Sequence, residues 1–149
     1  MAHTYADLLT HVIFSTKDRE PLIVAALRDD LLAYMGGIVR ELHGALRVAG
    51  ARPDHVHLLW SLPPILATAD ALRVVKTNSS RWVHRVRKMP GFDWQTGYDA
   101  FSVSHSQMPA VVRYIETQER HHRIVTFQEE FVAFLKRHNV AYDERYLWS

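Results

Sequence analysis

The sequence predicts an α+β fold, a ferredoxin-like or RRM-like β-α-β-β-α-β antiparallel sheet with two additional C-terminal helices. Three observations predict it. Strand-like and helix-like hydrophobic periods follow one another in that order, separated by short polar breaks. The 149 residues are 48% hydrophobic and 23% charged, a globular composition, so residues 1–149 are expected to form one domain. The six glycines and six prolines are scattered, and no stretch reads as a linker, repeat or low-complexity run.

Each element has its own signal. Leu8 to Thr16 is compact and β-rich, a first strand. After the polar break Lys17 to Pro21, residues Leu27, Leu31, Tyr34, Ile38 and Leu42 recur at helical spacing, and Gly44 ends that helix just past His43. Ala45 to Ala51 and His55 to Leu62 read as two strands joined by the turn Arg52-Pro53-Asp54. A second helix runs from about Ala69 to Lys88, with Leu72, Val75, Ser79, Trp82 and Val86 on one face. Gly91 to Gly97 is a loop and Tyr98 to His105 a fourth strand. Pro109 suits the first turn of a third helix, where its missing N–H would be unpaired anyway. Thr126-Phe127-Gln128-Glu129 is a capping box that opens a fourth helix, to about His138.

Composition excludes several chemistries. With no cysteine there is no disulfide scaffold, thiolate zinc site, cysteine nucleophile or iron–sulfur cluster. No segment approaches the ~20 apolar residues of a membrane span, and the first residues lack a charged region before an apolar run. A soluble, cytoplasmic protein is expected. The formal charge is only +2, a weak argument for nucleic acid, but the ten histidines lie outside that sum.

The sharpest local feature is Pro53-Asp54-His55-Val56-His57-Leu58-Leu59-Trp60. Side chains alternate along a strand, so His55 and His57 share one face while Val56, Leu58, Trp60 and Leu62 share the other. The apolar side should pack on the first two helices. Two imidazoles about 7 Å apart on a rigid central strand can converge on one metal ion. The plainer alternative is a pair of histidines decorating a half-buried sheet.

The third helix carries Tyr114 and Gln118, four residues apart and so on one face, with His121 near the same stripe. It can cross the histidine face that the first two helices leave open. A glutamine oxygen would complete a three-ligand site, with the phenol one turn earlier beside it. A phenol of pKa about 10 is a poor nucleophile until polarised, and a phosphate diester a poor electrophile until clamped.

The histidine segment, followed 57 residues after His57 by Tyr114-Ile115-Glu116-Thr117-Gln118, resembles the single-tyrosine HUH transposases of the insertion sequence 200/605 type. HUH stands for His-hydrophobic-His. The resemblance spans nearly the whole chain, from Thr10-His11-Val12-Ile13 through Trp94-Gln95-Thr96-Gly97 to Tyr142-Asp143-Glu144-Arg145. It implies that His55, His57 and Gln118 bind a divalent metal, Mg2+ or Mn2+, and that Tyr114 attacks a single-stranded DNA phosphate. It further implies a 5′-phosphotyrosine intermediate and a free 3′-hydroxyl, hairpin-containing element ends as substrate, and a homodimer. The tyrosine helix can then serve the partner subunit's metal site. Imidazole ligands by themselves suit zinc, copper, iron or nickel better than magnesium, so the ion stays open. Asp54, His121 and His122 are candidates for supporting contacts around the metal.

The candidate DNA contacts are basic. Ala71 to Phe92 holds Arg73, Lys76, Arg81, Arg85, Arg87 and Lys88 and no acidic residue. Arg81, Arg85 and Lys88 form a stripe opposite the apolar face of the second helix, which Arg73 and Lys76 extend. Arg47 and Arg52 flank the histidine strand, and Lys17 and Arg19 follow the first strand. Trp94, Tyr98 and Phe101 are candidates for stacking on unpaired bases, or for the core. Three rivals to a mobile-element transposase stay in view. They are a domesticated relative of the REP-associated kind, a catalytically inactive hairpin-binding protein, and a small His-ligated hydrolase using activated water.

Overall fold

The computed structural model describes residues 3–117 and 127–142. Its elements are β1 (Leu9–Ser15), α1 (Ala25–Glu41), β2 (Ala45–Arg52), β3 (His55–Ser61), α2 (Thr68–Val86), β4 (Asp99–Ser102), α3 (Met108–Glu116) and α4 (Phe127–Arg137). Short 3-10 turns occupy Lys17–Arg19 and His105–Gln107. The sheet order is β2-β3-β1-β4 and every pairing is antiparallel. This is the expected α+β architecture, and the histidine strand is central.

Strand alternation divides the sheet into two unlike faces. Val12, Phe14, Val56, Leu58 and Trp60 point to one side and are fully buried beneath α1 and α2. That side is the main core. From α1 it takes Leu27, Leu31, Met35, Ile38 and Val39, and from α2 Ala71, Leu72, Val75 and Val83. The helix stripes thus lie slightly off their expected positions. Tyr34 and Trp82 leave the core centre and stack on each other at its margin, ring centroids 4.9 Å apart, and Val86 is exposed. The fully buried Ser79 is satisfied there by its own bond to the Lys76 carbonyl and by the Trp94 indole N–H, 3.0 Å away.

Two boundaries differ from expectation for local reasons. The residue that turns out of α1 in the left-handed region is His43 (φ 63°), not Gly44. Gly44 is needed for closeness instead. A Cβ there would stand 3.0 Å from the Ser61 carbonyl oxygen and 3.1 Å from side chains of Leu62 and Val39. β4 is shorter than expected, Asp99–Ser102, although Val103 N–H still donates to the Leu9 carbonyl. Thr16 bridges Trp94, Gln95 N–H donates to the Ser15 carbonyl, and His105 has entered a 3-10 turn.

The opposite face carries Leu9, His11 and Ile13 of β1 with His55, His57 and Leu59 of β3. Two helices share its cover. α3 buries Ile115 against Leu9 and Leu59, and α4 buries Phe131 and Leu135 against Ile13 and Phe101. The line between the two apolar clusters is where the histidines lie.

Candidate metal and tyrosine site

His55 and His57 are buried, at 1% and 0% exposure, with ring centroids 5.1 Å apart. Each has its Nδ1 engaged from outside. The Asp54 carboxylate Oδ1 stands 2.7 Å from His55 Nδ1, and His11 Nε2 stands 2.9 Å from His57 Nδ1. The Nε2 atoms are therefore the inward pair. Glu130 joins them from α4, its Oε1 2.9 Å from His57 Nε2 and its side chain buried. One ligand atom from each of His55, His57 and Glu130 lies within 4.8 Å of the others. Two imidazole nitrogens and a carboxylate oxygen, converging and shielded from water, are a donor set that fits a divalent ion.

The sequence reading missed Glu130, although a signal was present. Glu130, Phe131, Phe134 and Leu135 form the inward stripe of α4, so an acid stood among aromatic and aliphatic positions. A carboxylate on a buried stripe needs a partner, because an unpaired buried charge is strongly unfavourable. Gln118, the expected third ligand, lies outside the described residues, as do His121, His122 and the capping residue Thr126.

Tyr114 comes from α3 and packs beside the same cluster, its ring centroid 5.7 Å from that of His57 and 6.3 Å from that of His11. Phe134 closes the other side, 5.3 Å from the Tyr114 ring and 5.2 Å from His11. Burial, reinforced by the neighbouring His57, holds the His11 imidazole far below its ordinary range, at about 3, so it stands neutral. The site thus brings a phenol, two inward imidazole nitrogens and a carboxylate together under apolar cover.

A family description, "Transposase IS200 like", matches residues 4–118, which run from ahead of β1 through Tyr114. The chain belongs to the IS200-like transposase family. A relative, the ISDra2 transposase TnpA of Deinococcus radiodurans, is 27% identical over 114 residues, 72% of this chain and 81% of that protein. A crystal structure of a transposase from Deinococcus radiodurans R1 superposes with a TM-score of 0.63 at 26% identity, covering 79% of this chain and 96% of that one. A REP-associated tyrosine transposase bound to a REP hairpin shares the fold at a TM-score of 0.61 and 16% identity, over 89% of this chain and 84% of that one.

The basic residues of this DNA transposase fall into two groups. Arg73, Arg81, Arg85 and Lys88 are exposed on or just past α2, as the stripe predicted. Lys76 is not part of that open stripe. Its Nζ donates to the carbonyls of Gln95 (3.0 Å) and Gly97 (2.5 Å) and reaches the Thr96 carbonyl (3.4 Å), over the rings of Phe14 and Tyr98. Its ammonium fastens the strand-approaching loop. Arg47 pairs with Asp7 at 3.8 Å, Arg52 ends β2 opposite His55, and Lys17 and Arg19 form the turn after β1. Trp94 and Phe101 are core residues, whereas Tyr98 stays 40% exposed. Among the described residues, no helix is long and apolar enough to cross a membrane.

Proposed function

We propose that this transposase cleaves and rejoins single-stranded DNA with Tyr114 as nucleophile, at a metal site formed by His55, His57 and Glu130. The observation that carries the reading is the packing of the Tyr114 ring against His57, the residue whose Nε2 meets Glu130. An ion bound there would draw charge from the phosphate oxygens and help clamp the diester for in-line attack. The chain's own residues do the rest. His55 and His57, fixed on a central strand, hold the inward nitrogens, and Asp54 orients His55. α3 presents the phenol, and Phe134 helps keep water out.

In the reaction the Tyr114 oxygen forms a bond to phosphorus and the bond to the 3′-oxygen breaks. Overall, one proton passes from the phenol to the departing oxygen. The products are a 5′-phosphotyrosine and a free 3′-hydroxyl, and rejoining is the reverse, so no nucleotide cofactor is consumed. Mg2+ or Mn2+ is the proposed ion and hairpin-bearing element ends the proposed substrate, in keeping with the hairpin held by the REP-associated fold relative. Gln118, four residues beyond Tyr114, is proposed as a further ligand of the same ion. DNA would run over Arg73, Arg81, Arg85 and Lys88, with Arg47, Arg52, Lys17 and Arg19 near the histidine strand. The proposed acting unit is residues 1–149 as one domain, in a cytoplasmic homodimer. The packing of Tyr114 on its own chain's histidines supports a site assembled within each chain.

Labelled single-stranded hairpin DNA with Mn2+ is expected to give a denaturation-resistant protein–DNA adduct that Tyr114→Phe does not form. An adduct retained in Tyr114→Phe would remove the nucleophile assignment. Metal-dependent cleavage with no adduct in either protein would point to the activated-water hydrolase. Hairpin binding without cleavage, across a panel of element ends, would point to the inactive binder.

A further inference from the structure

His11 has no part in the reaction described above, yet it is 2% exposed in the middle of the site. It stands on β1 opposite Leu59, so it is the diagonal neighbour of His57 across the ladder. Its ring stacks on that of His57 with centroids 5.1 Å apart and an interplanar angle of 27°, and its Nε2 lies 2.9 Å from His57 Nδ1. Tyr114 and Phe134 pack edge-on against it, which fixes the plane of the imidazole.

We propose that His11 is a positioning residue that sets the tautomer of His57, accepting its Nδ1–H and so leaving the Nε2 lone pair for the ion. The proposal rests on the metal reading of His55, His57 and Glu130. An imidazole can ligate through one nitrogen while the other carries the proton, and whatever the second nitrogen bonds decides which is which. His55 and His57 solve this differently. The partner of His55 Nδ1 is a carboxylate, Asp54, which when ionised only accepts. The partner of His57 Nδ1 is a neutral imidazole, which accepts or donates at Nε2 according to where its own proton sits.

His57 Nε2 stands 2.9 Å from Glu130 Oε1, so the nitrogen left unprotonated is the one that faces the carboxylate. With an ion at Nε2, His57 would carry its proton at Nδ1 and His11 would accept it at Nε2. An apolar residue in place of His11 would offer His57 Nδ1 no acceptor.

The test uses the full-length protein and Mn2+ as probe, with affinity read from the electron paramagnetic resonance of free ion. His11→Leu is expected to weaken Mn2+ binding about 10–100-fold, the usual range for losing a partner of a ligating histidine. His11→Gln, whose amide can turn to accept or donate, is expected to restore most of it. Wild-type affinity in His11→Leu would overturn the proposal. Should that variant fail to fold, histidine 15N shifts of the wild-type protein decide. Loaded with diamagnetic Zn2+, a protonated Nδ1 on His57 supports the proposal, and ligation through Nδ1 overturns it. Failure of the metal reading itself looks different: wild type would bind no Mn2+, or His55→Ala would bind it unchanged, whatever His11 did.

Discussion

At the scale of single residues, the site depends on where side-chain atoms point. His55 and His57 come two apart on a strand, so the backbone alone sends both to one face. Which nitrogen each turns inward is decided by Asp54 and His11. Glu130 supplies the carboxylate, and its expected role is measurable. Glu130→Ala should weaken Mn2+ binding by about 100-fold or more, at or beyond the upper end for an outer partner, while circular dichroism stays native. An unchanged affinity would remove Glu130 from the ligand set and return the third position to Gln118. The histidine pair and the tyrosine were legible as motifs because their spacings are local. Glu130 and His11 were not, since each reads as an ordinary residue of its own element until β1, β3 and α4 are packed together.

At the scale of elements, α3 lies against the sheet because β2 offers it a gap. Gly50 stands opposite His57 in the ladder, and a Cβ there would fall 2.9 Å from the Ile115 carbonyl oxygen and 3.0 Å from its Cγ2. The obstruction is helix backbone, which cannot rotate aside as a side chain can. Gly50→Ala is expected to lower stability by about 1–3 kcal/mol, the usual range for overpacking. By displacing Tyr114, which adjoins Ile115, it should also slow adduct formation while Mn2+ affinity is kept. Urea denaturation and adduct kinetics on the same protein check both parts, and wild-type kinetics would show that α3 tolerates the shift. The helix periods were readable in sequence, but the choice between Tyr34 and Met35, or Trp82 and Val83, as core positions depended on the angle at which α1 and α2 cross the sheet. A helical period does not carry that angle.

At the scale of the whole molecule, charge acts in two ways. If the open stripe of Arg81, Arg85 and Lys88 carries DNA as proposed, affinity should be salt-dependent, by about 0.7 in log–log slope for each single-strand phosphate contact. Replacing Arg81 and Arg85 with alanine should lower the slope by about 1.4 if both contact the strand; an unchanged slope would leave them as a solvated face. The buried charges behave otherwise. Burial raises Asp99 from 3.8 to about 7, opposed by Lys76, and burial lowers Lys76 from 10.5 to about 8, opposed by Asp99. Between pH 3.8 and 7 the unfolded chain has ionised Asp99 while the folded one still holds its proton, so this group's contribution to stability declines as pH rises. The stability of Asp99→Asn relative to wild type should therefore rise from pH 4 to pH 7 in paired urea denaturations. A pH-independent difference would show that Asp99 ionises normally.

The sequence by itself determined the order of the elements, the two-faced histidine strand and the distance in chain from that strand to the tyrosine helix. These follow from periods of two and about 3.6 residues, which need only the local backbone. Tertiary structure decided the membership of the site. It set His11 behind His57 and Glu130 before it, drew Lys76 out of the basic stripe into the loop carbonyls, and placed Trp94 in the core. Each of those outcomes turns on a distance between residues far apart in the chain. Such distances are set by sheet order, helix crossing and close approach at residues such as Gly50, none of which a local pattern records.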